Sequence, residues 1–199
     1  MATSPSQPAA TTPATTPASP VELQRQLQDL QRRLTQREAE LAVINSIQRG
    51  VADSLDFKAI IELAGDQLRR VFRAENLAIT WRDPLTTLGH MLYVVQHGQR
   101  VYPPPVSNDQ SGRFMQALYA NKPVLANSRA EMDAWGLRPP EGLSPSLATL
   151  TVPIFAHGAL LAGITLDSHE PDRPFTADDV RLLQTVAAAM SGALENARL

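Results

Sequence analysis

The stretch "SLATLTVPIFAHGALLAGITLDS", Ser146 to Ser168, constrains the fold more than any other part of the chain. Leu147 to Ile154 and Ala159 to Leu166 are runs of β-branched and apolar residues that read as strands. The intervening Ala-His-Gly reads as a hairpin turn, with Gly158 free to take a positive φ. Both faces of the hairpin are largely apolar, so both must be covered, as central strands are when helices pack on the sheet. Thr149 and Thr151 are the exceptions, and a period of two puts them on the same face. They are either β-branched strand formers or hydroxyls turned into a pocket.

Helices to cover such a sheet are present on both sides in sequence. Thr176-Ala177-Asp178-Asp179 forms an acidic capping box that opens "VRLLQTVAAAMSGALENARL". There Val180, Leu183, Ala187, Met190, Leu194 and Ala197 recur at spacings of three and four. Upstream, Asp53-Ser54-Leu55-Asp56 supplies capping groups for "FKAIIELAGDQLRRVF", whose Phe57, Ile60, Ile61, Ala64, Leu68, Val71 and Phe72 make one apolar face. "NLAITWR" and "MLYVVQH" are strands separated by the turn chemistry of "DPLTTLG".

The middle of the chain is irregular. Pro103, Pro104, Pro105, Pro139, Pro140 and Pro145 block both helix and central strand. Between them Gly112 to Ala120 suits a short helix burying Phe114, Met115 and Leu118. "PVLANS" suits a short strand, and Ala130 to Trp135 a further helical turn. Long irregular segments inside a compact domain are usually functional or mobile, so a ligand lid belongs here.

From Val21 to Val51 the sequence changes character. Leu23, Leu27, Leu30, Leu34, Leu41 and Ile44 form a coiled-coil seam, interrupted by Arg37 where an apolar residue is due. The spacing predicts a helix over 21–51, roughly 45 Å long at 1.5 Å per residue. One reading makes it a dimer-forming stalk, with Leu23, Leu27, Leu30, Leu34 and Leu41 in the interface and Leu183, Met190 and Leu194 of the last helix forming a second seam. The other makes it a single amphipathic helix lying on its own domain. Residues 1–20, rich in Pro, Thr and Ala, cannot form a core and are expected to be a disordered tail. They lack the basic start and apolar block of an export signal.

Composition narrows the function. Eighteen Lys and Arg against 20 Asp and Glu give a net charge of -2, with no basic excess to hold a nucleic acid. The absence of cysteine removes disulfides, thiolate nucleophiles and thiolate ligands. No apolar run is long enough for a membrane span, so the expectation is a cytoplasmic protein. His90, His97, His157 and His169 fall in no metal-ligand spacing; His97, at a strand end, is the one considered as a haem or metal ligand. No phosphate loop, nucleophile elbow or paired catalytic carboxylates occur, which points away from an enzyme.

The hairpin and its closing helix, through "LENARL", resemble a GAF domain. So do "NKPVLANS" and "LAVINSIQRGVADSLDFKAIIELAGDQLRRVFRAENLAITW" before them. The similarity covers residues 40–199. It implies an α+β fold of the GAF/PAS-like type, a central antiparallel sheet with the first and last helices on one face and a small-molecule pocket on the other, preceded by a coiled-coil helix. Members of this family that tether a bilin or reduce methionine sulfoxide use cysteines, which this chain lacks, so no covalent bilin is expected and the cofactor is undetermined. Asn121-Lys122 continues as Pro-Val-Leu and departs from the cyclic-nucleotide motif of other members.

The reading is thus a sensory module with a ligand-binding set of Trp81, Tyr93, His97, Phe114, Asn127, Trp135, Thr149 and Thr151. It would signal through a homodimer to a separate output protein. The alternatives are a ligand-free dimerisation scaffold and a haem or metal sensor.

Overall fold

In the computed structural model, residues 19–52, 57–83, 85–86, 88–107, 112–171 and 173–196 are described. The tail up to Ala18, the capping group at 53–56, and Ala197 and Arg198 of the closing motif lie outside the described residues. The element order is α1 (Pro20–Ala52), α2 (Phe57–Phe72), β1 (Leu77–Arg82), β2 (Leu88–Gln96), β3 (Gln99–Arg100), β4 (Val106–Ser107), α3 (Arg113–Tyr119), β5 (Val124–Ala126), α4 (Arg129–Trp135), β6 (Ala148–Ala156), β7 (Ala159–Ser168) and α5 (Ala177–Asn196). The chain divides after Thr35 into two units, both of which contain part of α1.

In the first unit α1 begins at Pro20, one residue before the helix that the spacing predicts. Ser19 Oγ accepts the Glu22 N–H at 3.2 Å and Pro20 takes the first helical position, where its missing N–H costs nothing. Leu23, Leu27, Leu30 and Leu34 are all exposed, Leu34 by 60%. Leu41, in the second unit, is exposed as well, whereas Val43 two residues on is fully buried in the core. Among the described residues no helix is long and apolar enough to cross a membrane.

The second unit is built on an antiparallel sheet ordered β3-β2-β1-β7-β6-β5, with β4 added beside β2. The hairpin β6–β7 sits inside the sheet, flanked by β1 and β5, which accounts for a sequence apolar on both faces. Pro153, which cannot donate to a ladder, lies beyond the end of β5, where β6 pairs on one side only. The turn is His157-Gly158, with φ of 51° and 76°; two positive φ values define the hairpin turn that matches strand twist. A second His-Gly pair, His97-Gly98 with φ of 49° and 75°, makes the same turn between β2 and β3. Histidine tolerates this region better than most side chains, so both are turn residues.

Strand alternation divides the sheet cleanly. Leu150, Val152 and Ile154 of β6, Ile164 and Leu166 of β7, and Leu77 and Ile79 of β1 face α2 and α5 and form the main core with Ile60, Ile61, Leu68, Leu183, Val186 and Met190. This corrects the second seam: Leu183, Met190 and Leu194 are at most 3% exposed. The stripe of α5 is spent on its own sheet, and a fully buried leucine there has no surface to offer a partner. The capping box is formed as the sequence suggests, with the Asp179 carboxylate accepting the Thr176 N–H at 2.7 Å and Thr176 Oγ1 accepting the Asp179 N–H at 3.2 Å.

A β-bulge between β1 and β2 changes the parity of β2. Ile79 lies opposite Tyr93 but Thr80 lies opposite Met91, leaving Leu92 as the extra residue. Tyr93 therefore faces the helices and Met91 the other side.

Candidate functional site

The face of the sheet turned away from α2 and α5 is the floor of a cavity of about 410 Å³. Strand alternation brings to it Ala78, Thr80 and Arg82 of β1, Met91, Val94 and Gln96 of β2, Thr149 and Thr151 of β6, and Gly163, Thr165 and Asp167 of β7. Phe114, Met115 and Leu118 of α3 and Met132 of α4 form an apolar wall, continued by the proline-rich segment 136–146. Proline-rich sequence serves here because a wall needs no ladder hydrogen bonds. Helix α4 is held in place by its ends: Ser128 Oγ accepts the Glu131 N–H, and Gly136 at φ 72° closes the C-terminus.

Polar groups on the floor are graded along the strands. At one end Thr149 Oγ1 donates to the Asp167 carboxylate, and Asn76 lies beneath, its side-chain oxygen accepting the His97 N–H at 2.9 Å and its backbone oxygen accepting the Asp167 N–H at 3.2 Å. Burial pushes the Asp167 carboxyl above its ordinary value, against hydrogen bonds from Thr149 and Ser146 and the field of His169. Both ring nitrogens of His169 are buried without a hydrogen-bond partner among the described residues, and its ring lies 4.9 Å from that of His97. In the middle, Thr151 and Thr165 satisfy each other at 3.0 Å. At the far end Arg82 places its guanidinium 4.6 Å from the Tyr119 ring centroid. Arg82 Nε and the Tyr119 hydroxyl are also buried without partners among the described residues, and no carboxylate pairs with Arg82 there. Arg129 and Arg138, which line the cavity too, share Asp133 at 3.3 and 2.7 Å.

Of the residues singled out by sequence, the cavity brings together Phe114, Thr149 and Thr151. Five others lie elsewhere. Trp81 faces the helical side, 6.2 Å from Phe57 and 5.6 Å from His90 between ring centroids. Tyr93 is put on that side by the bulge, fully buried, its hydroxyl donating to Asp66 at 2.8 Å and its ring covered by Arg100 at 3.9 Å. His97 occupies the β2–β3 turn, so its backbone and not a ligand fixes its place. Asn127 is a clamp: its amide donates to the Phe175 carbonyl at 2.9 Å and its oxygen accepts the Phe175 N–H at 2.8 Å. Trp135 braces α4 against the small cluster of Ala117, Leu118 and Val124, with Arg113 stacked at 4.3 Å.

The sequence reading missed Asp167, His169, Thr165 and Arg82. The first and third were accessible: applying to "GITLD" the alternation used for Thr149 and Thr151 puts Gly163, Thr165 and Asp167 on the same face. Among the described residues no group of three or more His, Asp or Glu side chains is placed to hold a metal ion.

The GAF domain family profile matches residues 54–195. With an antiparallel sheet, helices on one face and a cavity on the other, the chain belongs to the GAF domain family. Similar solved structures include the GAF domain of an Acinetobacter phosphoenolpyruvate-protein phosphotransferase, at 13% identity over 77% of this chain and 91% of that one, with a TM-score of 0.63. Another is the phycoerythrobilin-bound GAF domain of a cyanobacterial phytochrome, at 15% identity, 79% and 95% coverage and a TM-score of 0.63. A third is the free methionine-R-sulfoxide reductase of Neisseria meningitidis in complex with its substrate, at 20% identity, 78% and 88% coverage and a TM-score of 0.59. At these identities the likeness is one of fold. No curated protein matches the sequence.

Proposed function

We propose that this chain is a non-catalytic, cytoplasmic sensory module that binds a small molecule in the cavity on the sheet and passes its state to flanking helices in a homodimer, for readout by a separate output protein. The observation that carries the reading is the cavity itself: its floor bears polar groups at both ends, and the protein's own side chains do not fill its roughly 410 Å³, a volume within the range of small-molecule sites. The scaffold alternative needs a cavity packed with side chains. The exposed leucines of α1 support the dimer, because five large apolar side chains along one helix gain nothing until another surface covers them.

Native mass spectrometry of the gently purified full chain, followed by a thermal-shift screen of small aromatic acids, fatty acids, nucleotides and haem, tests this reading. A ligand at 100 times its dissociation constant adds about 2.7 kcal/mol to stability, a rise of several degrees in melting temperature for a chain of this length. Thr151→Trp places an indole in the cavity and is expected to abolish the shift while leaving the circular dichroism of the sheet unchanged. A shift that survives in that variant would put the ligand somewhere else.

A further inference from the structure

The unpartnered polar atoms of the cavity are not scattered. They lie at the two ends of its floor, and between them Thr151 and Thr165 satisfy each other. At one end stands the imidazole of His169, near the Asp167 carboxyl that Thr149 holds; at the other stands Arg82, its guanidinium 4.6 Å from the Tyr119 ring centroid. A buried donor or acceptor left unpaired is costly, so each end favours a ligand group that completes it.

The two ends ask for opposite chemistry. Arg82 has only donors to offer and no carboxylate among the described residues to receive them, so it suits an anionic oxygen group. A single guanidinium matches a monoanion such as a carboxylate, whereas a dianion would leave charge uncompensated in a half-buried site. Asp167 accepts from Thr149 and Ser146, and a carboxylate, with about four lone-pair sites, has acceptor capacity left for a ligand N–H. A positively charged N–H group is the partner that a desolvated carboxyl lacks. Arg129 and Arg138 do not serve Asp167 in this way, because both are engaged with Asp133.

The register sets the distance between the poles. Trp81 pairs with Ala162, so Arg82 lies level with the residue before it, six positions along β7 from Asp167 and roughly 20 Å away at about 3.3 Å per residue. Resting on the reading of the cavity as a ligand site, we infer that its ligand is an elongated zwitterion-like molecule, with a carboxylate at Arg82, an amino or similar N–H group at Asp167 and His169, and an apolar body against Phe114, Leu118 and Met132.

Calorimetric titration of the full chain with four probes of one chain length tests the inference: 8-aminooctanoate, octanoate, octylamine and 1-octanol. The first is expected to bind roughly tenfold more tightly than either singly charged probe, the yield of one charge-assisted contact. Arg82→Gln should erase its advantage over octylamine, and Asp167→Asn its advantage over octanoate. Arg82→Lys, which keeps the charge, should retain a preference for the carboxylate probes and serves if the glutamine variant does not fold. Equal binding of all four probes, or octylamine or octanoate binding as tightly as 8-aminooctanoate to the wild-type chain, overturns the inference. In that case binding of 1-octanol leaves the cavity as a ligand site of other chemistry. Failure of every probe, 1-octanol included, counts against the cavity reading as well.

Discussion

Asp167 and Tyr93 show how one residue of position decides chemistry. Tyr93 is packed between α2 and Arg100, and burial together with the Asp66 carboxylate pushes its hydroxyl up to about 12, so it stays a neutral donor to Asp66. It leaves no space beneath it: a Cβ on Gly65 would stand 2.5 Å from the Tyr93 ring. Gly65→Ala therefore gains about 1 kcal/mol of helix propensity and loses as much as 3 kcal/mol to overpacking. The expected outcome is a lower melting temperature, by roughly 5 °C for a net loss of about 1–2 kcal/mol, with a changed near-ultraviolet dichroism of tyrosine. Burial acts on Asp167 in the same direction, raising its carboxyl above the ordinary 3.8, but here the shift bears on stability. The folded chain then holds a proton that the unfolded chain has released, so stability falls as pH rises from about 3.8 through the raised folded value. Asp167→Asn removes that dependence. Thermal melts should place the variant above the wild type at pH 7, with the gap closing by about pH 4; a gap that widens on acidification would show that Asp167 is ionised and stabilising.

Among the elements, α1 and α5 carry stripes that look alike in sequence and end in opposite environments. The leucines of α1 stand in solvent while Leu183, Met190 and Leu194 of α5 are buried. The spacing of apolar residues tells only that a face will be covered, and a short-range pattern cannot say by what. Leu34→Asp is accordingly expected to convert a dimer into a monomer in light scattering with the sheet dichroism intact. An unchanged dimer would move the interface off α1, and a monomeric wild type would end the stalk reading. The same limit explains the rest of the comparison. The hairpin, the capping box of α5 and the buried face of α2 were legible, because turn chemistry, caps and periodicity are local. Trp81, Tyr93 and Trp135 read as site residues because they lie on strands or the lid and offer aromatic walls. The sides of Trp81 and Tyr93 depended on the bulge at Ile79 and Thr80 and on pairings between distant strands, and that of Trp135 on how α4 packs against Ala117, Leu118 and Val124, none of which a local pattern encodes. Arg82 and His169 are defined as site residues by what they lack, and a missing partner is visible only once the chain is folded.

For the whole domain, the sheet is the one element that both the cavity and the helical layer share. Along β6 the residues alternate between them: Thr149 and Thr151 face the cavity, and Leu150 and Val152 touch the core with α5. A ligand that favours one twist of β6 and β7 thereby favours one packing of α5. If it binds two such arrangements equally, it shifts neither, however tight it is. The same alternation separates lining from core. Exchanging Thr149, Thr165 or Asp167 changes the lining of the cavity and leaves the side chains that hold the sheet to its helices in place, so the cavity can be relined without rebuilding the core.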